Sequence, residues 1–270
     1  DEAFAFAIPS NTKGVKFICR DTFIGGDSPF DHPLSSRFEE IDSIVVFDNV
    51  LVPWERVFFY NNFEIAGKFL MESSFHHFAK YQVLIRQIVK SEFILGIAEI
   101  LIDTIKVREY QHIHEKLSEI IIGLETMKAL LEKAENHAIL DEWGYLRPAI
   151  FPLKVAGNIF SKLYPRYVEI IQLIGASGMI TLPTKKAFHS DIRADLDQYL
   201  QGATKTAEDR VKIFRLAWDL TMSSFGTRQM QYERFFFGDS IRAASELYFT
   251  YPKKEYVEVV IDFLKQKENS

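Results

Sequence analysis

At Phe63 the spacing of apolar residues changes from two to near 3.6 and stays there, so the chain must fold as a short β part followed by a longer helical one. From His76 to Val107 the apolar positions include Tyr81, Leu84, Ile85, Ile88, Leu95, Ile102 and Ile105, and others widen the apolar surface beyond one stripe. Such a helix belongs inside a bundle or at a subunit interface. After a polar break at Arg108 to Gln111, apolar residues at Ile113, Leu117, Ile120, Leu124, Met127, Leu131, Ala134 and Ala138 alternate spacings of four and three. That heptad seam needs an antiparallel neighbour. Trp143-Gly144 and Pro148 mark a turn, and a third helix is predicted from about Pro152 to Ile174. A fourth runs from Glu208 to about Phe225, continuing or kinking near Gly226 into Arg228 to Gly238, and Tyr256 to Lys267 forms a short tail.

Residues 1 to 60 read as strands. Ala3 to Pro9 and Val15 to Arg20 alternate around the turn-forming Ser10 to Gly14, which predicts a β-hairpin. Residues 21 to 36 form an irregular loop rich in glycine, proline and serine. Ser43 to Pro53 then predicts two more strands around a tight Asp48-Asn49 turn. Four strands are few for an independent sheet, so this reads as the later part of a β domain. The chain begins at Asp1, without Met, and enters a strand pattern almost at once, as if something upstream had been cut away.

With 47% apolar content over 270 residues, the chain can bury a sizeable core. A formal charge of -5, with Lys and Arg scattered, argues against nucleic acid as a partner. The single cysteine, Cys19, excludes a disulfide framework and any multi-cysteine metal site within this chain, and fits a reducing cytoplasm. No apolar run reaches the roughly 20 residues of a membrane span, and no secretory leader opens the chain. A soluble, untargeted protein without a membrane partner is expected.

The most informative stretch for function runs from Ile170 to Thr204. There a helix delivers Gln172 and breaks at Gly175 and Gly178, with Ala176 and Ser177 between, and Gln201-Gly202-Ala203 makes a second small-residue break. Glycine-marked turns can face backbone N–H groups toward an anion such as the diphosphate of a flavin dinucleotide. The alternative is that both are ordinary helix C-caps joining bundle helices.

Ser43 to Phe58, followed by a helical bundle presenting Gln172 to Gly178, resembles the acyl-CoA dehydrogenase architecture. Within it, Asp31 to Phe58 (DHPLSSRFEEIDSIVVFDNVLVPWERVF), RYVEIIQLIGASG, QYLQGA and the stretch from Arg210 to Phe236 resemble the 4-hydroxyphenylacetate 3-hydroxylase family. The resemblance implies a mainly α fold with a small β domain: residues 1–62 as the later part of the middle β domain, and 63–270 as the C-terminal four-helix bundle that contacts flavin and oligomerises. It places the family's N-terminal helical domain, with the arginine, tyrosine and histidine that hold the phenol, outside this sequence, so no catalytic residue is expected here. The implied activity is that of the oxygenase component of a two-component monooxygenase. Reduced FAD from a separate NADH-dependent flavin reductase forms a flavin hydroperoxide that hydroxylates a phenol, such as 4-hydroxyphenylacetate, ortho to its hydroxyl. A homo-oligomer, dimer or tetramer, is expected. The alternative is an acyl-CoA dehydrogenase-like or non-catalytic oligomerising bundle.

The resemblance also implies site residues. Gln172, Gly175, Ala176 and Ser177 correspond to the turn that meets the adenosine and diphosphate end of FAD. Gln201 and Gly202 lie where many acyl-CoA dehydrogenases carry a glutamate base, and a glutamine cannot abstract a proton. Arg37, after Ser35 and Ser36, either bonds flavin or phosphate oxygens or pairs with Glu39 or Glu40. Arg228, with Tyr232 and Arg234, forms a helix face for a phosphate, a neighbouring subunit or solvent. No metal is expected: His76-His77 and His112/His114 lack helical chelating spacing. The related 4-hydroxybutyryl-CoA dehydratase binds an iron–sulfur cluster through cysteines and a histidine, and FAKYQVLIRQ after His77 holds no cysteine.

Overall fold

A computed structural model describes residues 3–236 and 238–266. Its β part contains β1 (Phe4–Phe6), β2 (Val15–Cys19), the four-residue helix α1 (Ser35–Phe38), β3 (Ser43–Phe47) and β4 (Val57–Tyr60). The predicted hairpin of the first two strands does not form. Instead β2 pairs antiparallel with β3, Val15 opposite Phe47 and Cys19 opposite Ser43, while β1 pairs with β4. Gly14 explains the difference. Its left-handed backbone (φ +92°) accepts the Asp48 N–H at 3.0 Å, and a Cβ there would strike the Asp48 carbonyl, so the 10–14 turn directs the chain onto residues 43–48. The second predicted strand after Asp48-Asn49 is also absent. Asn49 is left-handed, Pro53 lacks an N–H, and Trp54–Arg56 make a 3-10 turn before β4 begins.

From α2 (Phe63–Glu72) the described chain is almost wholly helical. The bundle consists of α3 (Phe75–Ile105), α4 (Gln111–Asn136), α5 (Ile150–Gly175) and α7 (Ala207–Thr221). A two-stranded ribbon, β5 (Ile139–Leu140) with β6 (Leu146–Arg147), joins α4 to α5, and α6 (Arg193–Tyr199) precedes α7. The seam on α4 is buried at Ile113, Leu117, Ile120, Leu124, Met127 and Ala134, whereas Ala138 lies beyond the helix end. Its neighbours are α3 and α5. Arg166 of α5 grips Glu119 of α4 with hydrogen bonds of 2.6 and 2.7 Å, and Ala149 N–H donates to Ala134 O. The wide apolar surface of α3 is confirmed: one side is core, and Ile85, Val89, Phe93 and Ile100 remain exposed on the other.

The expected continuation past Phe225 is a true break. Ser223 ends α7 and caps α8 (Ser224–Phe235), its hydroxyl donating to Asp219 O and accepting from Gly226 N–H. Gly226 lies against the carbonyls of Asp219 and Leu220 with no room for a side chain. Two further helices, α9 (Ser240–Thr250) and α10 (Lys254–Gln266), complete the described chain; Lys267, which the sequence places in the tail helix, lies outside it. Among the described residues no helix is long and apolar enough to cross a membrane.

Gly123 tests the bundle packing. Helix propensity alone would make Gly123→Ala stabilising by up to about 1 kcal/mol, but a Cβ there overlaps the Tyr167 hydroxyl, whose ring is fully buried. Urea denaturation is expected to show a loss of about 1 to 3 kcal/mol. A gain would contradict this packing.

Candidate functional site

Two groups of the sequence-identified residues emerge, one gathered at the C-terminal end of α7 around Asp219 and one that runs along α5 and its following turn past α7. The first surrounds a strap, residues 30–42, which crosses from the β part onto the bundle. Asp219 of α7, fully buried, accepts the N–H groups of Leu34 and Ser35 at 2.8 and 2.9 Å through one carboxylate oxygen, and that oxygen also takes the Ser35 hydroxyl. A carboxylate at the free N–H end of α1 is favoured by hydrogen bonding and by the peptide dipoles together. Asp31 adds a second tie, accepting Lys185 N–H at 3.0 Å. Ser35 is buried and bonded internally to Ile24 O; Ser36 is half-buried, its hydroxyl without a protein partner; Arg37 is exposed. The carboxylates adjacent to Arg37 are engaged elsewhere: Glu39 by Arg20 and Glu40 by Arg228. Arg228 also donates to Asp42 at 2.5 and 3.0 Å, which fastens α8 to the strap.

The second group occupies the bundle end where α3 and α5 terminate and α4 and α7 begin. Gly175 is the last residue of α5 and is buried; residues Ala176–Met179 follow as a 3-10 turn. The left-handed residue is Ala176 (φ 45°, ψ -142°) and neither glycine. A non-glycine residue in that region carries strain of order 1 to 3 kcal/mol. Gly175 and Gly178 serve closeness instead: side chains there would overlap Met179 and Phe214. Ala176 and Ser177 are exposed, but the Ala176 N–H already donates to Gln172 O. Gln172 itself donates to Thr221 O at 3.1 Å, tying α5 to the end of α7. The 201–204 turn is locked to the C-terminus of α3, with Ala203 N–H donating to Thr104 O at 2.8 Å and Thr204 Oγ1 to Asp103. Gly202 sits against Thr104, where a Cβ would be crowded, and Gln201 is exposed.

Beside the strap lies a cleft of about 530 Å³ with an apolar wall of Phe38, Val89, Phe93 and Leu220. At its side Glu233 of α8, its side chain fully buried, receives Arg86 and Lys90 of α3 in one ion cluster, the lysine at 2.6 Å. Burial pushes the Lys90 ammonium below its ordinary pKa, with Glu233 opposing. These cations are already paired. Sequence reasoning missed this cluster, Asp219 and Arg210. The available signals were an acid inside the apolar run LAWDLT, and the arginine in the first turn of α7.

Replacing Asp219 by Asn keeps the volume and removes the charge. Asp219→Asn is expected to cost about 3 kcal/mol in denaturant unfolding, since buried donors lose their ionic acceptor; a loss below about 0.5 kcal/mol would place the strap's anchorage elsewhere. Asp42 adds a pH test. The hydrogen bond from Arg228, then that from Arg20, hold its carboxyl well below the usual carboxylate range. A depressed folded pKa contributes stability above the unfolded value of about 4 that is lost as pH falls below it. Asp42→Asn should flatten the acid limb of the stability profile, and an unchanged limb would contradict the pairing.

Comparison with known proteins covers both parts. The family profile described as 4-hydroxyphenylacetate 3-hydroxylase C terminal matches residues 66–265, and the corresponding N terminal profile matches residues 1–59. A probable 4-hydroxyphenylacetate 3-monooxygenase of Bacillus subtilis (strain 168) is 67% identical over 98% of this chain and 55% of its own length. A crystal structure of the oxygenase component of 4-hydroxyphenylacetate 3-monooxygenase complexed with FAD and 4-hydroxyphenylacetate superposes with a TM-score of 0.96 at 46% identity, covering 99% of this chain and 56% of that one. An archaeal 4-hydroxybutyryl-CoA dehydratase shares the fold at 19% identity and a TM-score of 0.85, covering 98% of this chain and 53% of that one. The chain spans about half the length of the curated relatives it matches. The fold is acyl-CoA dehydrogenase-like, mainly α with a small β part, and the chain belongs to the 4-hydroxyphenylacetate 3-hydroxylase family.

Proposed function

We propose that this chain is the later part of the oxygenase component of a two-component, FADH2-dependent monooxygenase that hydroxylates a phenol such as 4-hydroxyphenylacetate beside its hydroxyl group. The observation that carries the reading is the superposition, over 99% of the chain, on a relative complexed with FAD and that phenol. Residues 1–62 are then the later part of the middle β domain, and 63–270 the bundle that contacts flavin and joins subunits. A separate NADH-dependent reductase supplies the reduced flavin, and the enzyme works in the cytoplasm.

The bundle end suits the dinucleotide. From Gln172 to Thr184 there is no acidic residue, and Ala176 and Ser177 are presented outward. Gln172, Gly175, Ala176 and Ser177 would hold the adenosine and diphosphate end, with Gln201 and Gly202 in the neighbouring turn. At the strap, Arg37 is exposed to a ligand and Ser36 would reach one only from its buried hydroxyl, whereas Ser35 and Arg228 would act by fixing the strap. Bound reduced FAD supplies the oxygen chemistry; the protein excludes water and aims the ring. No residue in 1–270 is assigned to catalysis. Gln201, where a glutamate base would serve thioester dehydrogenation, disfavours that chemistry.

Supplied with flavin reductase, NADH and 4-hydroxyphenylacetate, residues 1–270 alone are expected to yield hydrogen peroxide without a catechol. Catechol formation by this chain alone would overturn the placement of the phenol site outside it. Assembly is the second element of the proposal. Exposed Val257, Val260, Ile261 and Leu264 share one face of α10, and α3 carries its own exposed stripe. Such surfaces suit a symmetric partner copy. Sedimentation at micromolar concentration is expected to give a dimer or tetramer, and a clean monomer would contradict it.

A further inference from the structure

The Gly175–Gly178 turn stands at an unfavourable pole for an anion. It ends α5, where unpaired carbonyls carry partial negative charge, and the Ala176 N–H is already committed to Gln172 O. An anionic ligand at this turn therefore needs a cation from another element. Arg210, the fourth residue of α7, is that cation. Its guanidinium lies 4.7 Å over the Phe214 ring, and Nη2 is 3.1 Å from the position a Cβ on Gly178 would take.

Beyond its stacking on Phe214, the Arg210 guanidinium has no ion pair among the described residues. Its Nη1 is buried without a hydrogen-bond partner, and burial alone acts on its pKa, lowering it, with no carboxylate contribution. The adjacent acids are occupied: Glu208 receives Arg193 at 3.0 Å, and Asp209 is held by Thr206. A positive charge in the first turn of a helix also opposes that helix's own dipole, so α7 gains nothing from it. What the arginine does gain is a neighbour suited to phosphate, the exposed, acid-free turn at Ala176 and Ser177.

We propose that Arg210 anchors the diphosphate of a nucleoside-diphosphate-containing ligand at the Gly175–Gly178 turn, and that Gly178 lacks a side chain so that the guanidinium can lie flush with that backbone. The identity of the ligand as the ADP half of FAD rests on the flavin reading above; the anion site does not.

The test is calorimetric titration of ADP, adenosine and, anaerobically, reduced FAD into the protein and into the Arg210→Gln, Arg210→Lys and Gly178→Ala variants, each checked by its melting curve. Arg210→Gln is expected to weaken ADP and FAD by about 10- to 100-fold while leaving adenosine unchanged, which is the range for one or two charge-assisted hydrogen bonds. Arg210→Lys should retain part of the affinity. Gly178→Ala, which keeps the charge but displaces the guanidinium, should also weaken both diphosphates. Folded Arg210→Gln that binds ADP and FAD as tightly as the parent overturns the inference; should that variant not fold, unchanged affinity in both Arg210→Lys and Gly178→Ala does the same. Arg210-dependent binding of ADP without any binding of FAD would sustain the anion site and remove the flavin reading. FAD binding indifferent to all three substitutions would do the reverse, and a parent that binds neither ligand removes both.

Discussion

The buried carboxylate of Asp219 is the interaction on which the joining of the two parts depends. An unpaired charge in that position would be strongly destabilising, because burial removes water without returning an equivalent partner. Here one oxygen collects two backbone N–H groups and a hydroxyl from the strap. The other elements of the seam follow from that docking. It brings Phe38 over the apolar face of α3 to form one wall of the cleft, and it sets Glu40 and Asp42 where Arg228 of α8 can reach them. The exposed ion pairs contribute less individually, since water screens them. Their value is in register.

The turn that follows α5 obeys a different logic. At the strap Asp219 is answered by hydrogen bonds through one oxygen, and the ion cluster of Arg86, Lys90 and Glu233 beside the cleft pairs its charges internally. At the bundle end the backbone is strained at Ala176, the surface between Gln172 and Thr184 carries no acid, and Arg210 is left with its charge unanswered. Strain and unmet charge in one place are costs that the fold itself does not explain. A diphosphate would resolve the electrostatic part.

Much of the helical architecture was legible because its signal is periodic. The α4 seam gave the right helix, most of its buried positions and the need for antiparallel partners, which α3 and α5 supply. The β part was less legible. Alternation located the segments of β1, β2 and β3, but pairing is a property of distant residues, and the contact between Gly14 and Asp48 is invisible in a local pattern. The glycine turns were found for a reason the structure revises: they permit close packing, and it is Ala176 that takes the left-handed backbone. Asp219 and Arg210 were missed because each looks ordinary on a helix; what distinguishes them is who faces them across the fold.

The most direct test of the account is a crystal structure of the protein with FAD. The account predicts density for the diphosphate within hydrogen-bonding distance of Arg210 and beside Ala176 and Ser177, with the strap unmoved on Asp219. A dinucleotide bound with its diphosphate elsewhere, or Arg210 still without an anionic partner in the complex, would contradict it.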